Sequence, residues 1–137
     1  MMRLPVLSPG TGFVVFLALT LVFLALVVVT GFAAKRRIHI VLVVCTVGAL
    51  GVTIIYAYAL GRVYDTQAAG WITPVHLALA RVNTLALLLP VASGVRTIFR
   101  PETRRMHRFL AFTVLGLTVL TAITGTVMLS LAPLRST

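Results

Sequence analysis

The chain has 137 residues, 60% of them hydrophobic, and a formal net charge of +10, with a mean hydropathy of +1.11. A soluble domain of this size cannot hide so much apolar surface, so the bilayer must be the solvent, and little chain is left over for a soluble catalytic domain. The basic balance invites a nucleic-acid reading, but its placement argues against one: eight of the twelve basic residues fall in or beside two short loops between apolar runs.

Four runs predict membrane-spanning helices, at 13–32, 40–60, 75–95 and 109–131. Each approaches or exceeds the roughly 20 residues that a helix needs to cross about 30 Å of hydrocarbon. The expected fold is an all-α, integral-membrane four-helix bundle, a single transmembrane domain over 1–137. The first run is longer than a signal-peptide core of about 7–15 residues, and Lys35-Arg36-Arg37 follows it directly, so it reads as a retained span. Gly31 is the expected terminator of that helix, and the short loop predicts a tight antiparallel hairpin. Cys45 is the only cysteine. It excludes an intrachain disulfide and reads as a small packing residue in the second span.

The second loop, 61–74, carries Tyr64 and Trp71. With Tyr56 and Tyr58 just before it, these residues predict an outer aromatic belt. In the third span, Arg81 lies roughly 10 Å along the helix from its start. A charge so placed must snorkel outward or find a partner such as Asp65. Asn83 shares a face with His76, which predicts a polar interior near this helix. Pro90 removes a backbone bond to Ala86 and predicts a kink. Arg100-Pro101-Glu102 is a turn signal before the fourth span, and Phe32, Phe99 and Phe109 suit an inner belt.

The charges also predict orientation. Lys35, Arg36 and Arg37 lie in the first loop, and Arg96, Arg100, Arg104, Arg105 and Arg108 lie around the third. The opposite side holds Arg3, Arg62 and Arg135, with Asp65 against them. This asymmetry predicts cytoplasmic first and third loops and puts both termini on the outer side. The basic belt should attract anionic lipid head groups, at about 1 kcal/mol per residue near the surface. An acidic partner surface would serve equally well.

The three histidines each open a span. Arg36-Arg37-Ile38-His39 and Arg104-Arg105-Met106-His107 repeat one phrase at an offset of 68 residues, along which Leu42, Gly48 and Thr53 match Leu110, Gly116 and Thr121. The first and third spans give no such match. His39 heads a stripe of Thr46, Ala49, Thr53 and Ala57; His107 heads one of Thr118, Thr121, Ala122 and Gly125. Stripes of small residues let helices approach closely in lipid, and they leave a slot for a flat ring. Neutral imidazole ligates haem and metals. His39 and His107 share a depth, so they are the candidate ligands of one b-type haem between the second and fourth spans. Arg36, Arg37, Arg104 and Arg105 then stand near its propionates. His76 opens the third span on the other side, roughly a membrane thickness away. It is an isolated metal contact or a partner to the second loop. The alternative for all three is an interface role, bonding lipid phosphate or loop carbonyls.

Asp65 and Glu102 are the only acids, and both fall in loops. Without an intramembrane carboxylate, proton pumping or ion-coupled transport by this chain alone is not expected. Nucleotide loops, thiolate metal motifs and nucleophile–base pairs are absent too, so the chain does not read as an enzyme.

The landmarks run from His39 through Tyr56 to Pro74-Val75-His76-Leu77-Ala78-Leu79-Ala80, then Leu89-Pro90-Val91, Arg105-Met106-His107-Arg108 and Thr124-Gly125-Thr126. In this order the chain resembles an uncharacterised four-helix bacterial membrane family associated with maturation of haem–copper cytochrome oxidases. More distantly it is similar to cytochrome b561-like bundles, whose histidines ligate b haems. The likeness covers the second to fourth spans. It implies a bacterial inner-membrane protein with His39, His76 and His107 as haem or metal contacts. Three histidines stand here where a two-haem bundle uses four. The expectation is an accessory or assembly subunit of a respiratory or other electron-transfer complex. The alternatives are a cofactor-free structural subunit that packs against larger membrane proteins and lipids, and an independent b-type cytochrome acting on quinol.

Overall fold

The computed structural model describes residues 7–135; Arg3 lies outside them. The described chain is helical apart from short turns. Its helices are α1 (Pro9–Phe32), α2 (Arg36–Val63), α3 (Ile72–Ala86), α4 (Leu88–Phe99) and α5 (Arg104–Leu131), with 3-10 turns at Thr66–Ala69 and Pro101–Thr103. Since α3 and α4 together make one span, four stretches are long and apolar enough to cross a membrane. No more than 11% of the residues in the apolar window of any span are buried within the chain. Surfaces this apolar and this exposed need hydrocarbon around them, which makes the chain a multi-pass membrane protein.

The chain divides into two compact units, residues 1–63 and 64–137. Unit 1 is the hairpin of α1 and α2. Ser8 caps α1 by accepting from the Thr11 N–H, and Pro9 occupies the first helical position, where no N–H is needed. The helix runs through Gly31 to Phe32, so Gly31 is not the terminator that its type suggests. Ala34 takes the left-handed conformation instead, with φ of 55°. The Lys35 N–H reaches back to the Thr30 carbonyl at 3.2 Å, closing a Schellman-type end.

The buried face of α2 is Thr46, Ala49, Thr53 and Leu60, which is the expected small-residue stripe as far as Thr53. Ala57 is exposed, and Leu60 closes the face. The hydroxyls of Thr20 and Thr53 meet across the hairpin at 3.2 Å. Threonine suits this contact because its hydroxyl also donates to a carbonyl of its own helix, Phe16 for Thr20 and Ala49 for Thr53. Cys45 lies exposed, away from this face.

Unit 2 packs α3 and α4 against α5. The third span is interrupted at Leu87, one residue past Ala86, the carbonyl that Pro90 leaves without its helical donor. Asn83 is buried and its Oδ1 accepts from the Thr118 hydroxyl at 3.1 Å, so the expected polar interior is present. Thr97 and Thr103 hydroxyls close the α4–α5 turn at 3.1 Å. At the other end, the Asp65 N–H donates to the Pro133 carbonyl at 2.8 Å, and the Thr73 hydroxyl donates to the Thr66 carbonyl. The Asp65 carboxylate accepts from the Gln67 N–H, and Arg81 is exposed on α3.

Tyr58 and Trp71 are about three-quarters exposed, and Phe32, Phe99 and Phe109 are also exposed, as interfacial belts require. Tyr56 departs from that pattern. Its ring stacks on Phe16, with centroids 5.7 Å apart, and rests against Gly12.

Candidate functional site

Each histidine ring lies against a glycine of the helix it faces, and a serine or threonine directly precedes that glycine. The pattern occurs three times. In unit 1, His39 on the first turn of α2 faces Thr30 and Gly31 at the end of α1. Its Nδ1 lies 3.0 Å from the Val27 carbonyl oxygen and 3.3 Å from the Thr30 hydroxyl. A Cβ added at Gly31 would stand 3.3 Å from the ring. In unit 2, His107 on the first turn of α5 faces Ser93 and Gly94 of α4. Its Nδ1 lies 3.1 Å from the Ser93 hydroxyl, and a Cβ at Gly94 would stand 3.2 Å away. His76 on α3 faces Thr124 and Gly125 of α5. Its Nδ1 lies 3.2 Å from the Thr124 hydroxyl, and a Cβ at Gly125 would intrude to 2.7 Å.

The local cause is common to all three. Glycine removes the side chain that would hold the neighbouring helix off, so the imidazole can lie flat against backbone. A hydroxyl one residue earlier supplies a polar partner that its own helix already half satisfies. Gly31 therefore serves a close approach rather than a helix end.

His39 and His107 are both half-buried. The arginines singled out beside them, Arg36, Arg37, Arg104 and Arg105, are all exposed on the first turns of α2 and α5. His76 does not turn to the second loop; it is held by α5. In unit 2, His107 and Thr124 are 17 residues apart on one helix, which puts the His107 and His76 seats roughly 26 Å apart by the helical rise. Ligation of one metal ion by those two residues is excluded on that distance.

A fourth seat of the same shape holds a phenol. Thr11-Gly12 on α1 faces Tyr56 on α2, and a Cβ at Gly12 would clash with the ring at 2.2 Å. Sequence reasoning gave Thr30, Ser93, Thr124 and Gly12 no part in a site. The Thr30-Gly31 and Ser93-Gly94 pairs are offset by 63 residues while the histidines are offset by 68, because His39 follows Gly31 by 8 residues and His107 follows Gly94 by 13. An ungapped alignment keyed to the histidines cannot see the match. A search for Ser/Thr-Gly dipeptides along the whole chain would have found all four.

Chemically, each seat holds an imidazole by Nδ1. That is how proteins orient a histidine for ligation through Nε2. No family model, curated protein or solved structure matches this chain.

Proposed function

We propose that the chain is a small integral-membrane accessory or assembly subunit of a respiratory or other electron-transfer complex, and that His39 and His107 are its candidate ligands for b-type haem. The observation that carries this reading is the seat built twice, once in each unit. An imidazole on the first turn of a long helix lies on a glycine and is held at Nδ1 by the preceding hydroxyl residue. An interface anchor needs neither a glycine beneath it nor a fixed ring. The donor set fits haem iron, which takes imidazole axial ligands. Arg36, Arg37, Arg104 and Arg105 are close in sequence to the two rings and exposed, and they suit propionate carboxylates. Bound haem would supply one-electron chemistry; the chain's part is to orient the imidazoles and keep water from them.

In this reading the first and third loops face the cytoplasm of a bacterial inner membrane and both termini lie outside. The basic turns bind anionic head groups. The test is an absorption spectrum of the purified protein, oxidised and reduced, before and after haem addition. A Soret band that His39→Ala and His107→Ala each abolish is the expected result. No band after haem addition removes the proposal.

A second reading is a cofactor-free structural subunit. What favours it is the breadth of exposed apolar face on every span, which suits lipid or a larger membrane protein. It predicts a colourless protein that leaves the membrane in mild detergent with a fixed partner. A stable, coloured monomer would end it.

A further inference from the structure

Arg81 carries a charge into the third span without a counter-charge from the chain. It stands nine residues after Ile72 and 18 before Phe99, so roughly 13 Å of helix separate it from the nearer end. The rotation of α3 keeps it on the outside of unit 2. Asn83 is tied to Thr118 and His76 to Thr124, both on α5, and Arg81 lies roughly 140–160° around the helix from each of them. It is exposed, with Leu77 and Leu85 exposed one turn before and after it. Among the described residues it forms no hydrogen bond or ion pair. Asp65 and Glu102 are the only acidic side chains. The Asp65 carboxylate sits in the loop before the span, accepting from the Gln67 N–H, and Glu102 lies in the turn after it. Unit 1 has no acidic residue, so none of its helices can supply a carboxylate.

A guanidinium keeps its charge in hydrocarbon, so the charge has to be met from outside the chain. Snorkelling covers only part of the distance to the nearer helix end, because an arginine stem is shorter than that. A second copy of the chain cannot meet it, since that copy brings another arginine and no acid to the same depth. The face also suits close approach: Ala78 and Thr84, three residues to either side of Arg81, are small and exposed. We propose that this face of α3 docks a membrane-spanning helix of a different protein, one that carries an aspartate or glutamate at the depth of Arg81. The planar fork of arginine matches a carboxylate through two parallel N–H···O bonds, and in hydrocarbon neither group has water to turn to. That the occupant is another subunit rests on the accessory-subunit reading above. The preference of the face for a carboxylate does not, and neither depends on haem.

The experiment places the full chain in phosphatidylcholine vesicles with a synthetic membrane-spanning peptide of leucine and alanine, and reads association by energy transfer. One peptide carries a glutamate at the depth of Arg81, another a leucine there, and another a lysine. The parent chain should bind the glutamate peptide about tenfold more tightly than the leucine peptide. Arg81→Leu loses that preference, Arg81→Lys keeps most of it, and Arg81→Glu transfers it to the lysine peptide. Helical circular dichroism checks that each variant keeps its fold, as an exposed position allows. Equal binding of the glutamate and leucine peptides by the parent overturns the inference, and so does a preference that survives Arg81→Leu. A guanidinium carbon that stays coupled to lipid phosphorus in solid-state NMR, with the glutamate peptide present, assigns Arg81 to head groups and overturns it as well. Extraction from the native membrane in mild detergent separates this inference from the subunit reading. A fixed partner that Arg81→Leu loses is the expected result. A chain that leaves alone yet prefers the glutamate peptide upholds the face and ends the subunit reading. A fixed partner held equally by the parent and by Arg81→Leu upholds the subunit reading and overturns the face.

Discussion

Unit 1 seats one imidazole and one phenol, and both rings hang from α2 over glycines of α1. Unit 2 seats two imidazoles, and its rings come from different helices, with His107 on α5 lying over α4 and His76 on α3 lying over α5. What is common is the receiving surface: a hydroxyl residue, then a glycine, on a long apolar helix. What differs is which helix offers the ring and whether the ring is an imidazole or a phenol. In a membrane interior, where apolar contact between helices gains little over contact with lipid, such close-approach seats give an antiparallel pair its register. The Thr20–Thr53 pair in unit 1 and the Asn83–Thr118 pair in unit 2 fill the space between seats in different ways.

The most severe way to break this comparison is to fill the seats. Gly12→Ala drives a methyl to 2.2 Å from the Tyr56 ring, and Gly125→Ala pushes the His76 ring from α5. Overpacking of this kind costs about 1–3 kcal/mol, with Gly12→Ala the worse of the two because the phenol is also wedged against Phe16. Unfolding in mixed micelles, followed by helical circular dichroism, measures both. A Gly12→Ala chain as stable as the parent would mean that the rings do not set the register.

Next come the polar ties between seats. Thr118→Val leaves the Asn83 carbonyl without its hydroxyl donor, at a cost of about 1 kcal/mol. Thr53→Val in unit 1 should cost about half as much, since Thr20 keeps its own-helix bond to Phe16. The same micelle titration reads the difference, and equal costs would erase this contrast between the units.

The remaining effect, opposite in sign, belongs to the connections. Ala34 holds a left-handed conformation that strains any residue with a Cβ. Ala34→Gly should therefore stabilise unit 1 by up to about 1 kcal/mol. The α4–α5 turn, closed by its threonine pair, has no equivalent gain to offer. A loss of stability on Ala34→Gly would show that the Schellman end is not what holds the first turn.

The spans, the exposed aromatic residues at their ends and the polar face of α3 were all legible in the sequence, because each depends on periodicity or composition along one helix. The helices begin three to four residues before the apolar runs at 13, 40 and 75, and five before the run at 109. Polar first turns such as Arg36-Arg37 and Arg104-Arg105 are helical without being apolar. Gly31 misled for a definite reason: glycine near a helix end and glycine under a ring look the same along the chain, and only the facing helix separates them. Tyr56 misled in the same way, as an aromatic near an interface that belongs to a seat. The histidines were singled out correctly as unusual, but their hydroxyl partners lie 9 to 48 residues away, beyond any local pattern.

The break at Leu87 has a mechanical consequence. In unit 1 both rings are carried by one unbroken helix, so a slide of α2 along α1 would unseat His39 and Tyr56 together. In unit 2 the third span is jointed. The lower segment carries the His76 ring, and the upper one carries the hydroxyl and glycine that receive His107. A tilt of either segment about Leu87 would then leave the other segment's seat on the continuous α5 in place.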